Sequence, residues 1–330
     1  MPQNQAHAPL VWSDAVKFAM EKAISEAQQY RGSTSPNPPV GAVALDRTGE
    51  MIGFAAHERA GQPHAEAKLI EQLREQGRLE QVETLVVTLE PCNHTGRTPP
   101  CTQSIVDAGI SKVIFGVRDP NPLVAGGGKE ALEAAGIFVR EGLLKESCAE
   151  LIAPFNKWLK TRTPWVTIKT AHRFGSLSMI PPKGQKTFTS EDSLIEAHAL
   201  RKRCDAIVTS AKTILIDHPL FTVRKVPDFE AKKRYLMVID RNNLLQDQWE
   251  QSVKEHGMIP LKTATIHEAL FELGKRGVLE VLIEAGPTLS KVFFDEGLWD
   301  EHVQMIEGAP LAQGTREQDQ VIVTRHPERM

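Results

Sequence analysis

The sequence predicts an α/β protein built from two domains. Strand-like and helix-like segments alternate from Val40 to Val139. A second strand series opens near Trp165 after a helical stretch, and 330 residues are more than one core usually organises. Alternation of this kind predicts a three-layer α/β/α sandwich for the first domain.

Each element has a local reason. Ser13 is an N-cap for a helix running to about Tyr30, with Val16, Met20, Ala23, Ile24 and Ala27 along one face and Gly32 as its stop. Val40–Leu45 and Met51–Ala56 read as strands around a polar turn at Arg47–Gly49, and a helix runs from Ala65 to about Gln76. Thr84–Leu89 is a buried strand that delivers Pro91-Cys92. The next helix, Thr102–Ala108, keeps Cys101 at its N-terminus, where free amides and the dipole favour a thiolate. Lys112–Val117 is a strand, Gly128–Ala135 a helix and Ile137–Val139 a short strand. Residues 148–164 form a helical linker. In the second domain Val166–Lys169 opens as a strand, and a helix from Ser190 closes at Leu200-Arg201. The strand Ala206–Ser210 follows, and Val281–Ile283 runs into a Gly-rich turn.

The composition is 41% hydrophobic and 25% charged, ordinary for a soluble globular chain. A net charge of −3 provides no basic field for nucleic acid or anionic membrane, so a phosphorylated ligand must be met by local cations. The N-terminal stretch lacks the features of a signal peptide, and no run approaches 18 apolar residues, so a cytoplasmic protein with no membrane partner is expected. Cys148 and Cys204 read as buried thiols of a reducing compartment.

The chemistry lies between Gly61 and Cys101. His64, Cys92 and Cys101 are one imidazole and two thiols, a set that holds zinc at three corners of a tetrahedron and leaves the fourth for water. Zinc lowers the pKa of such a water to roughly 7. Zinc deaminases also need a Glu that is not a ligand and carries the proton to the departing amine. Glu66 has that spacing: it lies about 200° from His64 around a helix, and the first turn can still bring both into one pocket. A purely structural zinc site would normally show four strong ligands, and only His94 stands nearby as a fourth. A zinc-stabilised binding protein and a deaminase for another base remain the rival readings.

Eight residues separate Cys92 from Cys101, which departs from the common P-C-x-x-C spacing. With Ser-Pro-Asn-Pro-Pro-Val-Gly at 35–41, His-Ala-Glu at 64–66, Glu-Pro-Cys-Asn-His-Thr-Gly-Arg-Thr-Pro-Pro-Cys at 90–101 and Asp-Pro-Asn-Pro at 119–122, the chain resembles the bifunctional deaminase–reductases of riboflavin biosynthesis. The resemblance implies a cytidine-deaminase-like fold over residues 1–147. It also implies zinc-dependent hydrolytic deamination of 2,5-diamino-6-(5-phosphoribosylamino)pyrimidin-4-one to 5-amino-6-(5-phosphoribosylamino)uracil. Asn37, His57, His94, Arg97 and Asn121 would meet that substrate, with amides at glycines 126–128 receiving its phosphate.

For residues 165–330 the resemblance implies a dihydrofolate-reductase-like α/β domain that reduces the ribose carbonyl with NADPH. Ala171, Thr213, Asp217, Gly286, Pro287 and Thr288 would touch cofactor; Lys169, Arg201, Phe221, Arg224 and Glu284 would touch substrate. Departures are visible: Arg173–Ser176 replaces Ser-x-Asp-Gly, Thr187 replaces a Trp, His218 an Asp and Ala285 a Gly. Between Asp240 and Leu270 the chain also looks too short for a further strand–helix unit. These departures predict a shortened domain with weakened or lost NADPH reduction, retained for homodimer contacts; a fully bifunctional chain is the alternative.

Overall fold

The structure, a computed structural model, describes residues 12–94, 99–121, 127–176, 179, 189–246, 248–311 and 316–327. Arg97, Gly126 and Thr187 lie outside them. The chain divides into two compact units at Asn156/Lys157.

In the first unit, α1 (Asp14–Gln29) is capped by Ser13, whose hydroxyl accepts the Val16 N–H at 3.4 Å. It buries Ala19, Met20, Ala23, Ile24 and Ala27. The strands are β1 (Gly41–Leu45), β2 (Met51–Ala56), β3 (Thr84–Leu89), β4 (Lys112–Val117) and β5 (Phe138–Glu141), and the helices among them are α2 (Ala65–Glu75), α3 (Cys101–Asp107) and α4 (Gly128–Ala134). They form one sheet in the order β2-β1-β3-β4-β5, with β3, β4 and β5 parallel. One face packs on α1 and α5 (Lys145–Leu151), the other on α2, α3 and α4, giving the three layers expected. Gly41 is required where α1 crosses β1, because a Cβ there would lie 1.9 Å from the Ala23 carbonyl oxygen. The linking helix α6 runs from Ala153 to Thr161.

The second unit carries a longer sheet. Its strands are β6 (Trp165–His172), β7 (Ala206–Ser210), β8 (Tyr235–Ile239), β9 (Ile259–Thr263), β10 (Glu280–Ile283), β11 (Glu301–Ile306) and β12 (Gln320–Arg325). The order is β12-β11-β6-β10-β7-β8-β9, and every neighbouring pair is parallel except β11 with β12. Helices α7 (Glu191–Arg203), α8 (Ala211–Asp217) and α9 (Gln248–Glu255) contribute to the core on one face. Helices α10 (Ile266–Lys275) and α11 (Pro287–Asp295) cover the other.

One expectation is overturned here. The stretch from Asp240 to Leu270 is long enough: it holds α9, β9 and the start of α10. Trp249 and Val253 of α9 enter the core and β9 extends the sheet on β8, so an eight-residue helix suffices for the connection.

Candidate active sites

In the first unit the chain doubles back so that three donors from two loops meet. His64 is the N-cap residue of α2, Cys92 follows β3, and Cys101 is the first residue of α3. His64 Nδ1 lies 3.5 Å from Cys92 Sγ and 3.4 Å from Cys101 Sγ, and the three donor atoms fall within 4.8 Å of one another. Tetrahedral zinc with Zn–N and Zn–S bonds of standard length places N and S about 3.5 Å apart, so the residues fit that ion. The Cys101 thiol donating to Cys92 holds the Cys92 thiol down at about 4, and the same bond pushes Cys101 up. The amide at the start of α3 does not serve Cys101 as the sequence suggests. The Cys101 N–H points to Cys92 Sγ at 3.4 Å, so the helix start favours the other thiolate.

Glu66, in the first turn of α2, is 3% exposed; burial pushes its carboxyl up to about 7. It opens onto a cavity of about 160 Å³ that also meets Asn37, His57, His94, Asp119 and Asn121. His57 Nδ1 lies 3.1 Å from the Pro63 carbonyl, its ring stands edge-on to His64 at 5.3 Å, and its Nε2 is buried with no hydrogen-bond partner. With Nδ1–H donating to Pro63, Nε2 is an unused acceptor on a ring that lines the cavity. Asp119 Oδ1 accepts the Asn121 N–H at 2.9 Å, which sets the turn that presents both residues.

Of the glycines expected to receive a phosphate after Asp119, Gly127 has its amide already engaged, as has the neighbouring Lys129. Gly127 N–H donates to Glu130 Oε2 at 3.0 Å, and Lys129 N–H donates to Glu90 Oε1 at 3.1 Å. Gly128 is there for packing, since a Cβ would lie 2.2 Å from the Pro91 carbonyl oxygen. Cavity residues missed in the sequence include Glu90, whose signal was its place just before Pro91-Cys92, and Phe155, hidden in the linker.

In the second unit the parallel strands end on one edge of the sheet, the usual location for ligands in such folds. Glu284, just after β10, is 6% exposed. Lys169 Nζ approaches it at 3.4 Å, and Arg201 binds it through Nε at 2.7 Å and Nη2 at 3.1 Å. Burial alone would raise the Glu284 carboxyl, but Lys169 and Arg201 outweigh it and hold it low. Arg224 joins through Thr222, whose hydroxyl it meets at 2.6 Å while Arg201 Nη1 donates to the Thr222 carbonyl at 3.2 Å. Phe221 is not brought in by its side chain, which lies in the core.

Beside this group, a cavity of about 350 Å³ is lined by Thr213, Gly286 and Thr288. Gly286 is the N-cap of α11 without a side-chain cap, and a Cβ built there meets nothing within 4 Å, so the backbone edge stays open to a ligand. These features fit a dinucleotide. Asp217, Pro287 and Ala171 do not line the cavity; Asp217 ends α8 on the surface. The methyl of Ala285 packs against the core and so does not obstruct that edge, contrary to what its replacement of Gly suggests.

A three-donor metal site with a buried, non-ligating Glu defines the first unit as a zinc hydrolytic deaminase, and the second is a dinucleotide-type α/β unit. The comparisons agree with both. Residues 13–117 match the cytidine and deoxycytidylate deaminase zinc-binding region, and residues 175–323 match the RibD C-terminal domain. The riboflavin biosynthesis protein RibD of Corynebacterium ammoniagenes is 37% identical over 98% of this chain and 92% of its own. That of Escherichia coli is 32% identical over 91% and 89%. The Acinetobacter baumannii RibD structure superposes with a TM-score of 0.76 at 34% identity, covering 92% of this chain and 89% of that one. The Thermotoga maritima deaminase/reductase superposes at 0.78 with 27% identity, covering 94% and 98%. The chain belongs to the RibD family of bifunctional riboflavin-biosynthesis proteins.

The fold is therefore the one the resemblance implied in both domains, and Zn²⁺ and NADPH are the cofactors of the pair. A reductase domain matched along most of its length supports two activities better than the lost reduction that the departures predict.

Proposed function

We propose that this chain deaminates the phosphoribosylated diaminopyrimidinone at the first site and reduces the ribosyl carbonyl of the product at the second. The observation that carries the first step is the buried Glu66 carboxylate beside a His/Cys/Cys set matched to zinc spacing. When bound, zinc supplies Lewis acidity toward the water that is consumed. Glu66 takes a proton from that water as its oxygen bonds to the ring carbon, and delivers it to the amino group on the same carbon, which leaves as ammonia. The Nε2 of His57 accepts an N–H of the substrate, and Asn37 reads the ring edge with donor and acceptor together. His94, Arg97 and Asn121 complete the substrate contacts, Arg97 as the phosphate partner.

At the second site NADPH, when bound, would supply the hydride. Lys169, Arg201, Arg224 and Glu284 bind and orient the ribosyl group, with Thr213, Gly286 and Thr288 on the cofactor. Residues 1–147 form the deaminase, 148–164 the linker and 165–330 the reductase. Among the described residues no helix is long and apolar enough to cross a membrane. We read the chain as cytoplasmic, acting on a small molecule and not on nucleic acid, and as a homodimer through the second unit. Exposed Val321, Ile322 and Val323 on the edge strand β12 support the last point.

The test is one incubation of zinc-loaded protein with the diaminopyrimidinone ribosyl phosphate, with and without NADPH, read by mass. Ribityl product only with NADPH is expected. Deaminated ribosyl product in both tubes would remove the second step, and no deamination would remove the first.

A further inference from the structure

We propose that Glu90 is a positioning residue of the first site: its two carboxylate oxygens fasten the turn Asp119–Asn121 and the start of α4 to the strand exit that carries Cys92. The inference deepens the deaminase reading and rests on the substrate contact proposed there for Asn121. Glu90 directly follows β3, stands two residues before Cys92, is 4% exposed and lines the same cavity as Glu66. Its Oε2 accepts the Asp119 N–H at 3.3 Å, and its Oε1 accepts the Lys129 N–H at 3.1 Å. The Glu90 N–H donates to the Val117 carbonyl at 2.9 Å, so backbone and side chain together hold the exits of β3 and β4. Asp119 in turn receives the Asn121 N–H. One chain of hydrogen bonds therefore runs from Glu90 through Asp119 to Asn121.

The residue type is the one this geometry requires. A carboxylate is acceptor-only and can take amides from two segments at once, whereas a carboxamide offers one oxygen and turns its NH2 toward the second N–H. Among the described residues no cation pairs with Glu90. Burying a carboxylate without one is costly unless amides satisfy it, and an apolar side chain would fill the same space more cheaply. The neighbouring backbone is fitted to the carboxylate as well: a Cβ on Gly128 would lie 3.0 Å from Glu90 Cγ and 3.2 Å from Oε1. What the charge secures is the place of Asp119 and Asn121 on the cavity wall, relative to the strand that delivers Cys92. Slack of about 1 Å there is enough to spoil the alignment of a bound substrate.

The experiment removes the clamp with E90Q in the full, zinc-loaded chain and follows exchange, binding and turnover. By NMR, the Asp119 and Lys129 amides of the parent should exchange as slowly as those of β4. In E90Q at least one of the two should exchange about tenfold faster, with β4 unchanged. In protein silenced by E66Q, calorimetry with the diaminopyrimidinone ribosyl phosphate should show E90Q and N121A each weakening binding about tenfold. The two together should weaken it no more than either alone, because both act through one contact. With Glu66 intact, E90Q should raise KM about tenfold and hold kcat within about threefold. Zinc content and circular dichroism should stay at the parent level. Fast exchange of both amides in the parent, additive losses in the double substitution, or an E90Q protein that loses its zinc or its fold would overturn the role and leave the deaminase reading in place. If the E66Q protein does not bind this substrate, that reading falls and the role of Glu90 with it.

Discussion

Arg201 grips both oxygens of Glu284, Nε on Oε2 at 2.7 Å and Nη2 on Oε1 at 3.1 Å. The pair ties α7 to the end of β10 and leaves one carboxylate shared between a guanidinium and the Lys169 ammonium. Truncating one member of a buried ion pair costs about 3–5 kcal/mol, because the survivor keeps its desolvation. R201A should therefore destabilise the second unit by that order in urea melts and depress the reductase kcat/KM, with deamination unchanged. An unaltered urea midpoint would show that Lys169 alone satisfies Glu284.

Glu66→Gln keeps the size and removes the base. Deamination should fall by roughly a hundred- to ten-thousandfold, the range for losing a positioned acid–base group. Zinc content, measured by atomic emission, should stay at the parent level, and NADPH should bind as before. Parent-like turnover would displace Glu66 from the proton transfer.

Chelation separates the two sites. Prolonged dialysis against a strong chelator should abolish deamination and leave NADPH affinity intact, with zinc restoring turnover. Cys101→Ser should behave as the chelated protein does. Persistent activity in demonstrably metal-free protein would contradict the assignment of His64, Cys92 and Cys101.

Gly128 packs against the strand exit that carries Cys92. Its missing Cβ leaves space that the Pro91 carbonyl oxygen fills, at 2.2 Å from where a Cβ would stand. Gly128→Ala should cost about 1–3 kcal/mol, the ordinary range for overpacking, and should weaken zinc binding in a competitive chelator titration. Unchanged zinc affinity would mean that the displaced backbone relaxes away from Cys92.

His198 gives the second unit an acid sensitivity. An unfolded histidine titrates near 6.5, whereas His198 is held down at about 4, first by burial and then by Arg201 and Arg224, with Lys225 adding to them and Glu284 opposing. On acidification the unfolded chain takes the proton first. The destabilisation is absent above pH 6.5, grows as pH falls toward 4 and levels off below that. His198→Asn retains an acceptor for the Arg224 N–H, which now donates to His198 Nδ1 at 2.8 Å. It should flatten the fall in Tm between pH 6.5 and 4, and a parallel fall in both proteins would assign the effect elsewhere.

Much of the fold and of the first site was legible in the sequence because it depends on neighbours along the chain. Ser13 caps α1 as its position suggests, and the bounds of β2, β3 and β4 follow their apolar runs. His64, Glu66, Cys92 and Cys101 declare their chemistry by type and spacing, since few other roles use an imidazole, two thiols and a spare carboxylate together. The second unit was harder to read. Its ligand edge is assembled from residues at the ends of strands that are adjacent in space and distant in sequence, such as Thr213, Asp240 and Gly286.

Local chemistry, then, was set by the sequence alone: which segments are helix or strand, which residues hold a metal, and that a Glu stands ready beside it. Tertiary structure alone decided where side chains and amides are already engaged. It turned Asp240 into its loop, sent the Ala285 methyl into the core, engaged the amides of Gly127 and Lys129 with Glu130 and Glu90, and brought Phe155 to the first cavity. The reason is physical. A side chain's type fixes which partners it can bind, but burial and strand order determine which of them it meets, and only the unmet groups remain for a ligand.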